Sequence, residues 1–397
     1  MKVAFLTSGG IAPCLSSSIG RLIYNYSNLD KSIEFIGYLY GYKGLLTNQK
    51  LIISSDIINE VDSLYNYGGT FLGNSRVKLT NINDCIKRGY IKQSQTPLSV
   101  AANQLLKDEV DVLHTIGGDD TNTTAADLVN YLENKNYKLT VVGLPKTIDN
   151  DISPITQTLG AYTAAEQSAL FFKNIVNENT TSSRQLIVHE VMGRNCGWLT
   201  AYSAFIYRKN ILEKMKFLES LGLEKKKWDI HAVYIPEDKF DLKNESIRLK
   251  KIMDEHDCVN IFLSEGADLN NIINEKEKNN DDIKYDAFGH VRLDELNAGK
   301  WYASYFQKYL EADKVLVQKS GYFSRSAAPN SQDLKLIFSH ADFAVKEGIK
   351  GNSGVVGIDE KSNKLSCIAF SRIKGHKPFN INTKWYIDMM EKIKQNN

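Results

Sequence analysis

Two apolar runs, each ending abruptly in a polar loop, constrain this chain more than any other feature. The first, Asp111 to Asp120, reads Asp-Val-Leu-His-Thr-Ile-Gly-Gly-Asp-Asp and stops at two glycines before two adjacent carboxylates. The second, Leu139 to Asp151, reads Leu-Thr-Val-Val-Gly-Leu-Pro-Lys-Thr-Ile-Asp-Asn-Asp. Both have the pattern of buried parallel strands emptying into loops. Helical periodicity precedes the first at Leu98, Ala101, Ala102, Leu105 and Leu106, and follows it at Ala125, Leu128, Val129 and Leu132. Alternating strands and helices predict an α/β fold with a parallel sheet covered on both faces, and a ligand at the switch point of that sheet.

The loops carry the chemistry. A Gly-Gly turn lets backbone amides approach a phosphate with no Cβ in the way, and the following helix offers its positive end to the anion. Asp119 and Asp120 would then oppose the phosphates unless a metal ion sits between them. Mg²⁺ suits that place, because it takes carboxylate and phosphate oxygens and keeps several waters. In the second loop Lys146 can neutralise a transferring phosphoryl group, while Asp149 or Asp151 can take a proton from an attacking hydroxyl. This is the constellation of a phosphotransferase. Val3 to Thr7, followed by Ser8-Gly9-Gly10 and a helical segment with Ile19, Leu22 and Ile23, repeats the strand, glycine turn and helix. It is no Walker A loop, since no Gly-Lys-Ser/Thr follows, and by itself it reads equally well as a plain tight turn. Arg76, closing the glycine-rich stretch from Gly68, can fork two hydrogen bonds onto a phosphate.

At 397 residues the chain has length for two domains with substantial cores. A formal net charge of +2 gives no general reason to expect nucleic acid or a membrane surface as partner. The five cysteines (Cys14, Cys85, Cys196, Cys258 and Cys367) are scattered and form no Cys-x-x-Cys pair, so they read as reduced thiols. The N-terminal apolar run, Val3 to Leu6, is too short for a signal peptide, and no run approaches the roughly 20 residues of a membrane helix. A cytoplasmic protein is expected.

Four blocks in order, Gly-Gly-Thr-Phe-Leu-Gly-Asn-Ser-Arg (68 to 76), Gly-Gly-Asp-Asp-Thr (117 to 121), Pro-Lys-Thr-Ile-Asp-Asn-Asp (145 to 151) and Glu-Val-Met-Gly-Arg (190 to 194), resemble the signatures of the phosphofructokinase family. More narrowly, the chain is similar to the diphosphate-dependent members, which phosphorylate fructose 6-phosphate from pyrophosphate. ATP-dependent relatives usually carry glycine where Asp120 and Lys146 stand, leaving room for the α-phosphate; an aspartate there opposes it by sterics and like charge. The resemblance implies two Rossmann-like three-layer lobes with mostly parallel sheets. Residues 1–160 plus about 285–352 would bind the phosphoryl donor and Mg²⁺, and about 161–284 plus 353–397 the sugar phosphate. It also implies roles. Asp149 would be the base, Thr147 and Asp151 would position the sugar phosphate, Asp119 would hold Mg²⁺, and Gly9, Gly10, Arg76 and Lys146 would bind diphosphate. Lys146 and Arg194 would stabilise the transition state while Asp120 excludes ATP. Met192, Gly193, Arg194 and Glu265 would contact the sugar phosphate, with Tyr322 and Arg325 on its 6-phosphate and Lys319 as a third contact.

Several stretches depart from the family pattern. The first loop reads Gly-Gly-Ile-Ala-Pro-Cys-Leu-Ser where the family has Gly-Gly-Asp-x-Pro-Gly-Met-Asn, so the likeness stops at Gly10. The usual Gln-Arg-Gly-Gly run is replaced by Gln318 to Arg325. Tyr42, on a glycine-punctuated loop from Tyr40 to Gly44, resembles a position near the donor, although packing on the loop accounts for it as well. Gln185 matches an arginine that reaches across subunits in bacterial relatives, and that role is not carried over to neighbouring Arg184. Arg21 is too isolated to mark an effector pocket. Gly351 to Ile358 resembles the family's last strand, with a terminal helix around Tyr386 and Ile387. Lys276 to Asp282 reads as a solvated loop, and past Phe288 to Arg292 the match changes character. By analogy a homodimer or homotetramer is expected. The rival readings are an ATP-dependent enzyme and a non-catalytic regulatory subunit.

Overall fold

The structure, a computed structural model, describes residues 1–278, 283–284 and 296–395. The expected loop at 279–282 and the block Phe288 to Arg292 lie outside the described residues; Lys276 belongs instead to the last turn of the helix Leu269–Lys278. The chain forms two compact units, Met1–Ala164 with Arg325–Lys377 and Ala165–Ser324 with Pro378–Asn397.

Unit 1 contains a seven-stranded sheet built from β1 (Lys2–Thr7), β2 (Glu34–Tyr38), β3 (Lys50–Ile52), β4 (Val112–Gly117), β5 (Thr140–Pro145), β10 (Gly354–Asp359) and β11 (Lys364–Ile368), in the order β11-β10-β5-β4-β1-β2-β3. The five inner strands run parallel, and only the edges β3 and β11 are antiparallel. β1, β4 and β5 are buried almost throughout, as apolar runs without alternation require when helices cover both faces. The helix Pro97–Lys107 starts where the Thr96 hydroxyl accepts from Ser99 N, with Pro97 in its first turn. It buries Ala101, Ala102 and Leu105, and the helix Asp119–Glu133 adds Ala125, Leu128 and Leu132 to the same core as Leu6, Leu113 and Val141. Asp333, fully buried, accepts from Gly160 N (3.1 Å), Thr163 N (2.7 Å) and Thr163 Oγ1 (2.6 Å), so its charge sits where the helix Ala161–Ile175 begins.

Unit 2 contains an all-parallel sheet of β6 (Gln185–Val191), β7 (Ala232–Tyr234), β8 (Cys258–Ser264) and β9 (Lys314–Lys319), ordered β7-β8-β6-β9. Its core joins Leu186, Val188, Ile261 and Leu263 to Leu249, Met253, Tyr302 and Phe306 from neighbouring helices. The chain returns between units at Arg325 and Pro378, whereas the sequence suggested about 285 and 353. Strand pairing is the reason: β9 extends the sheet beside β6, and β10 pairs with β5. The segment Gly351 to Ile358 is also not the final strand, because β11 folds back on β10. The terminal helix is Lys384–Lys392. No helix among the described residues is long and apolar enough to cross a membrane.

Among the described residues, four buried histidines set an acid limit. Burial holds His114, His231 and His340 down at about 4 and His189 at about 3, against an ordinary 6.5. Below pH 6.5 the unfolded chain therefore takes up protons that the fold refuses, so stability is lost as pH falls from about 6.5 toward 4. The cost reaches about 3 kcal/mol per histidine at the bottom of that window. His189 is ringed by Phe171, Phe172 and Phe262 and bonds Ser320 Oγ through Nε2 (2.8 Å). Chemical denaturation at pH 7, 6 and 5 should show stability falling with pH. In His189→Phe the slope should be shallower by about 1.4 kcal/mol per pH unit.

Candidate active site

The order of the larger sheet explains why its loops can share a task. From β1 the chain goes to β2 on one side and later to β4 on the other, so the crevice between β1 and β4 is a switch point. Because β1, β4 and β5 are parallel neighbours, the loops leaving Thr7, Gly117 and Pro145 emerge at one edge. Ser8 N donates to Ile116 O (3.1 Å) and Lys146 N to Gly117 O (2.9 Å), which ties the three loops at their roots. Gly9 N and Ser8 Oγ both donate to Ser75 O (3.0 and 3.2 Å), and Thr7 Oγ1 to Gly73 O (3.0 Å), drawing in the stretch that ends at Arg76.

Lys146 lies at the centre, with 5 % of its surface exposed. Its Nζ donates to Gly10 O (2.6 Å), and a Cβ on Gly9, where φ is +83°, would stand 3.2 Å from it. Burial holds the ammonium below the ordinary lysine range, while Cys14, Asp151 and Asp149 act in the opposite sense and the nearby Arg76 guanidinium lowers it further. Asp119 and Asp120 occupy the first turn of the helix Asp119–Glu133, whose cap is Gly118. Asp120 points outward, 65 % exposed, and pairs with Lys78 Nζ (2.7 Å). Lys78 was not marked in the sequence; its place two residues after Arg76 was the available signal.

The loop after Lys146 is held by its neighbours. Asn150 sits at φ +59°, and its Oδ1 accepts from Thr158 N (2.9 Å) and Thr158 Oγ1 (3.2 Å). Thr158 Oγ1 also donates to Thr147 O (2.8 Å), and Asp149 N donates to Thr147 Oγ1 (3.1 Å). Asp149 is half-buried. The Asp151 carboxyl is pushed above its ordinary range, first by burial and then by the charge of Asp119, with Thr147 and His376 acting against the shift. The Asp151 carboxylate near Asp119, the latter in the first turn of a helix, suits a hard divalent cation held by one or two of them, with phosphate and water oxygens completing the shell. Among the described residues no group of three or more His, Cys, Asp or Glu forms an all-protein cage.

In unit 2, β6 runs into Met192, Gly193 and Arg194, and β8 into Glu265. Gly193 has φ +136°, Ser264 Oγ donates to Gly193 O (2.5 Å), and Gly193 N donates to Glu265 Oε1 (3.3 Å). Burial is the chief reason the Glu265 carboxyl sits above its ordinary range, with the Gly193 bond opposing. Arg194 lines a cleft of ≈ 620 Å³ with Asn195, Lys239, Phe240, Gly266 and Asp268. Met192 packs against Gly321, whose Cβ would stand 2.9 Å from Met192 Sδ. Tyr322 is 76 % exposed and lies three residues from Arg325 in the short helix Gly321–Arg325. Arg325 is counted with unit 1. Lys319 Nζ pairs with Glu190 Oε1 (2.8 Å), a partner the sequence did not suggest.

Three other positions have structural duties. Tyr42 stands in a short helix, Tyr42–Thr47, not the expected loop; it is buried and donates to Thr121 O (2.7 Å), which is the packing role. Arg184 is engaged by Asp254 (2.8 Å) and Glu311 O (2.7 Å), and Arg21 by Asp342 (2.6 and 2.9 Å).

Comparison with known proteins agrees with this architecture. A family model described as Phosphofructokinase matches residues 2–346. Two proteins named pyrophosphate--fructose 6-phosphate 1-phosphotransferase are similar over nearly their whole length. The one from Methylomonas methanica is 53% identical, covering 99% of this chain and 96% of its own. The one from Propionibacterium freudenreichii subsp. shermanii is 51% identical, covering 99% and 98%. A crystal structure titled pyrophosphate-dependent phosphofructokinase, from Nitrosospira multiformis, superposes with a TM-score of 0.72 at 17% identity, covering 99% of this chain and 91% of its own, a likeness of fold.

Proposed function

Because the chain belongs to the phosphofructokinase family, we propose that it transfers a phosphoryl group from pyrophosphate to the 1-hydroxyl of fructose 6-phosphate, giving fructose 1,6-bisphosphate and phosphate. The names of the relatives at 51% and 53% identity support pyrophosphate as donor. The observation that carries the reading is Lys146, a buried ammonium bonded to Gly10 O at the edge where the donor loops meet. On this reading Lys146 takes space that nucleotide-using relatives keep open, and Asp120 opposes an α-phosphate by like charge.

In this mechanism Asp149 accepts the proton of the 1-hydroxyl as that oxygen forms its bond to phosphorus, and the bridging P–O bond of pyrophosphate breaks to release phosphate. Lys146 and Arg194 offset charge on the transferring group and its leaving oxygen. Gly9, Gly10 and Arg76 bind the diphosphate. Thr147 and Asp151 position the sugar phosphate, Met192, Gly193 and Glu265 contact it, and Tyr322 and Arg325 take its 6-phosphate. Asp119 would hold Mg²⁺, which neutralises phosphate oxygens when bound. Pyrophosphate has a transfer potential not far from that of a nucleotide, so the reaction runs in either direction. Action in the cytoplasm, as a homodimer or homotetramer, belongs to the same proposal.

The test is the rate of fructose 1,6-bisphosphate formation with Mg²⁺, comparing pyrophosphate with ATP at matched concentrations. Activity confined to pyrophosphate is expected, and Asp120→Gly combined with Lys146→Gly should weaken pyrophosphate use and admit ATP. Equal or faster turnover with ATP in the unaltered protein would overturn the donor assignment. Inactivity with both, restored by a paralogous chain, would favour a regulatory subunit.

A further inference from the structure

The last segment of unit 1, Arg372 to Lys377, carries no motif, yet it is pinned along its length. Arg372 grips Asp359 through two charge-assisted bonds (2.6 and 2.9 Å). Lys374 and Ser153 exchange backbone hydrogen bonds (3.0 and 2.8 Å). Lys377 N donates to Asp151 O (2.8 Å), and its Nζ donates to Ile155 O (2.6 Å). Held in this way, the strap runs directly against the carboxylate of Asp119. A Cβ added to Gly375 would overlap Asp119 Oδ2, the nearest atom, and crowd Oδ1 as well.

Glycine at 375 is not required by backbone conformation, since Gly375 is not among the positive-φ residues. Close approach is the remaining reason. Gly9 serves Lys146 similarly, although there φ is +83° and the added Cβ would stand at 3.2 Å. The two glycines differ in what they can tolerate. Lysine ends in a flexible chain that can give way, whereas Asp119 has one methylene between its backbone and its carboxylate, and that backbone is locked in the first turn of a helix. A shift of the carboxylate therefore becomes a shift of whatever it ligates.

We propose that Gly375 is a positioning residue for divalent-cation binding: by lacking a side chain it lets a pinned strap set where the Asp119 carboxylate stands. The inference rests on the reading of Asp119 as the cation's protein ligand. Holding a ligand from behind is a common requirement of metal sites, and disturbing such support typically costs about 10- to 100-fold in metal affinity.

Mn²⁺ is the probe, its binding followed by electron paramagnetic resonance with pyrophosphate present and no sugar, so that turnover plays no part. Gly375→Ala should bind Mn²⁺ about 10- to 100-fold more weakly, with an unchanged thermal midpoint. In an Asp119→Ala background the same substitution should cost nothing further, because its effect passes through that carboxylate. Equal losses in both backgrounds, or wild-type affinity in Gly375→Ala, would overturn the proposal. Asp119→Glu reads the same contact with the glycine intact. The strap leaves no room for another methylene, so binding should again fall, and wild-type affinity there would also overturn it. Should Asp119→Ala itself bind Mn²⁺ like wild type, the assignment of Asp119 fails, an outcome distinct from failure of the strap.

Discussion

Asp149→Ala is expected to lower kcat by about 10²- to 10⁴-fold, the range a positioned general base contributes, while the KM values for pyrophosphate and fructose 6-phosphate stay within a few-fold. The separation follows from how the loop is built. Asn150, through its φ of +59° and its bonds to Thr158, holds the backbone, and Thr158 in turn fixes Thr147 O. None of those bonds uses the Asp149 carboxylate, so its removal takes away the proton acceptor and leaves the cradle standing. Steady-state rates in both directions check this, since the acid of the reverse reaction is the base of the forward one. Near-normal turnover of Asp149→Ala would end the assignment.

Lys146→Met should lose about 10²- to 10³-fold in kcat/KM for pyrophosphate, as removal of one preorganised charge at a transferring group does, and yet it should not destabilise the fold. The sign follows from burial. Because the folded ammonium titrates below its ordinary 10.5, the unfolded chain binds the proton more tightly on the acid side of 10.5. Stability therefore rises with pH as the lysine loses its proton, and the cost of burying the charge is present wherever the folded group stays protonated. Methionine has similar length without the charge, so the variant's thermal midpoint at pH 7 should match or exceed that of the parent, and the stability increment at alkaline pH should vanish. An inactive but sturdier protein separates a residue kept for chemistry from one kept for folding.

The strand, turn and helix around the loop at Asp119 were legible because their signals are local. An apolar run, two glycines and a carboxylate fall within ten residues at Asp111 to Asp120, and the strand, turn and helix they describe need little from elsewhere. The strand ends that lead to Gly193 and Glu265 were readable for the same reason. Where local signals were weaker the reading slipped. Tyr40 to Gly44 looked like a loop because two glycines flank Tyr42 and Lys43, but burial of Tyr42 against Thr121 O draws the segment into a helical turn. The pairing of Lys319 with Glu190 was not legible either, because no pattern announces the register of the two neighbouring strands.

By itself the sequence determined the α/β class, the parallel strands and the identity of the loops that leave them, since hydrophobic period and glycine placement act over a few residues. Only the tertiary structure decided that β9 joins β6, that β10 joins β5 with β11 beyond it, and that the strap at Gly375 lies on Asp119. Those choices bring together residues far apart along the chain. Packing and strand pairing favour them only after the loops between have closed, so no short stretch of sequence can encode them alone.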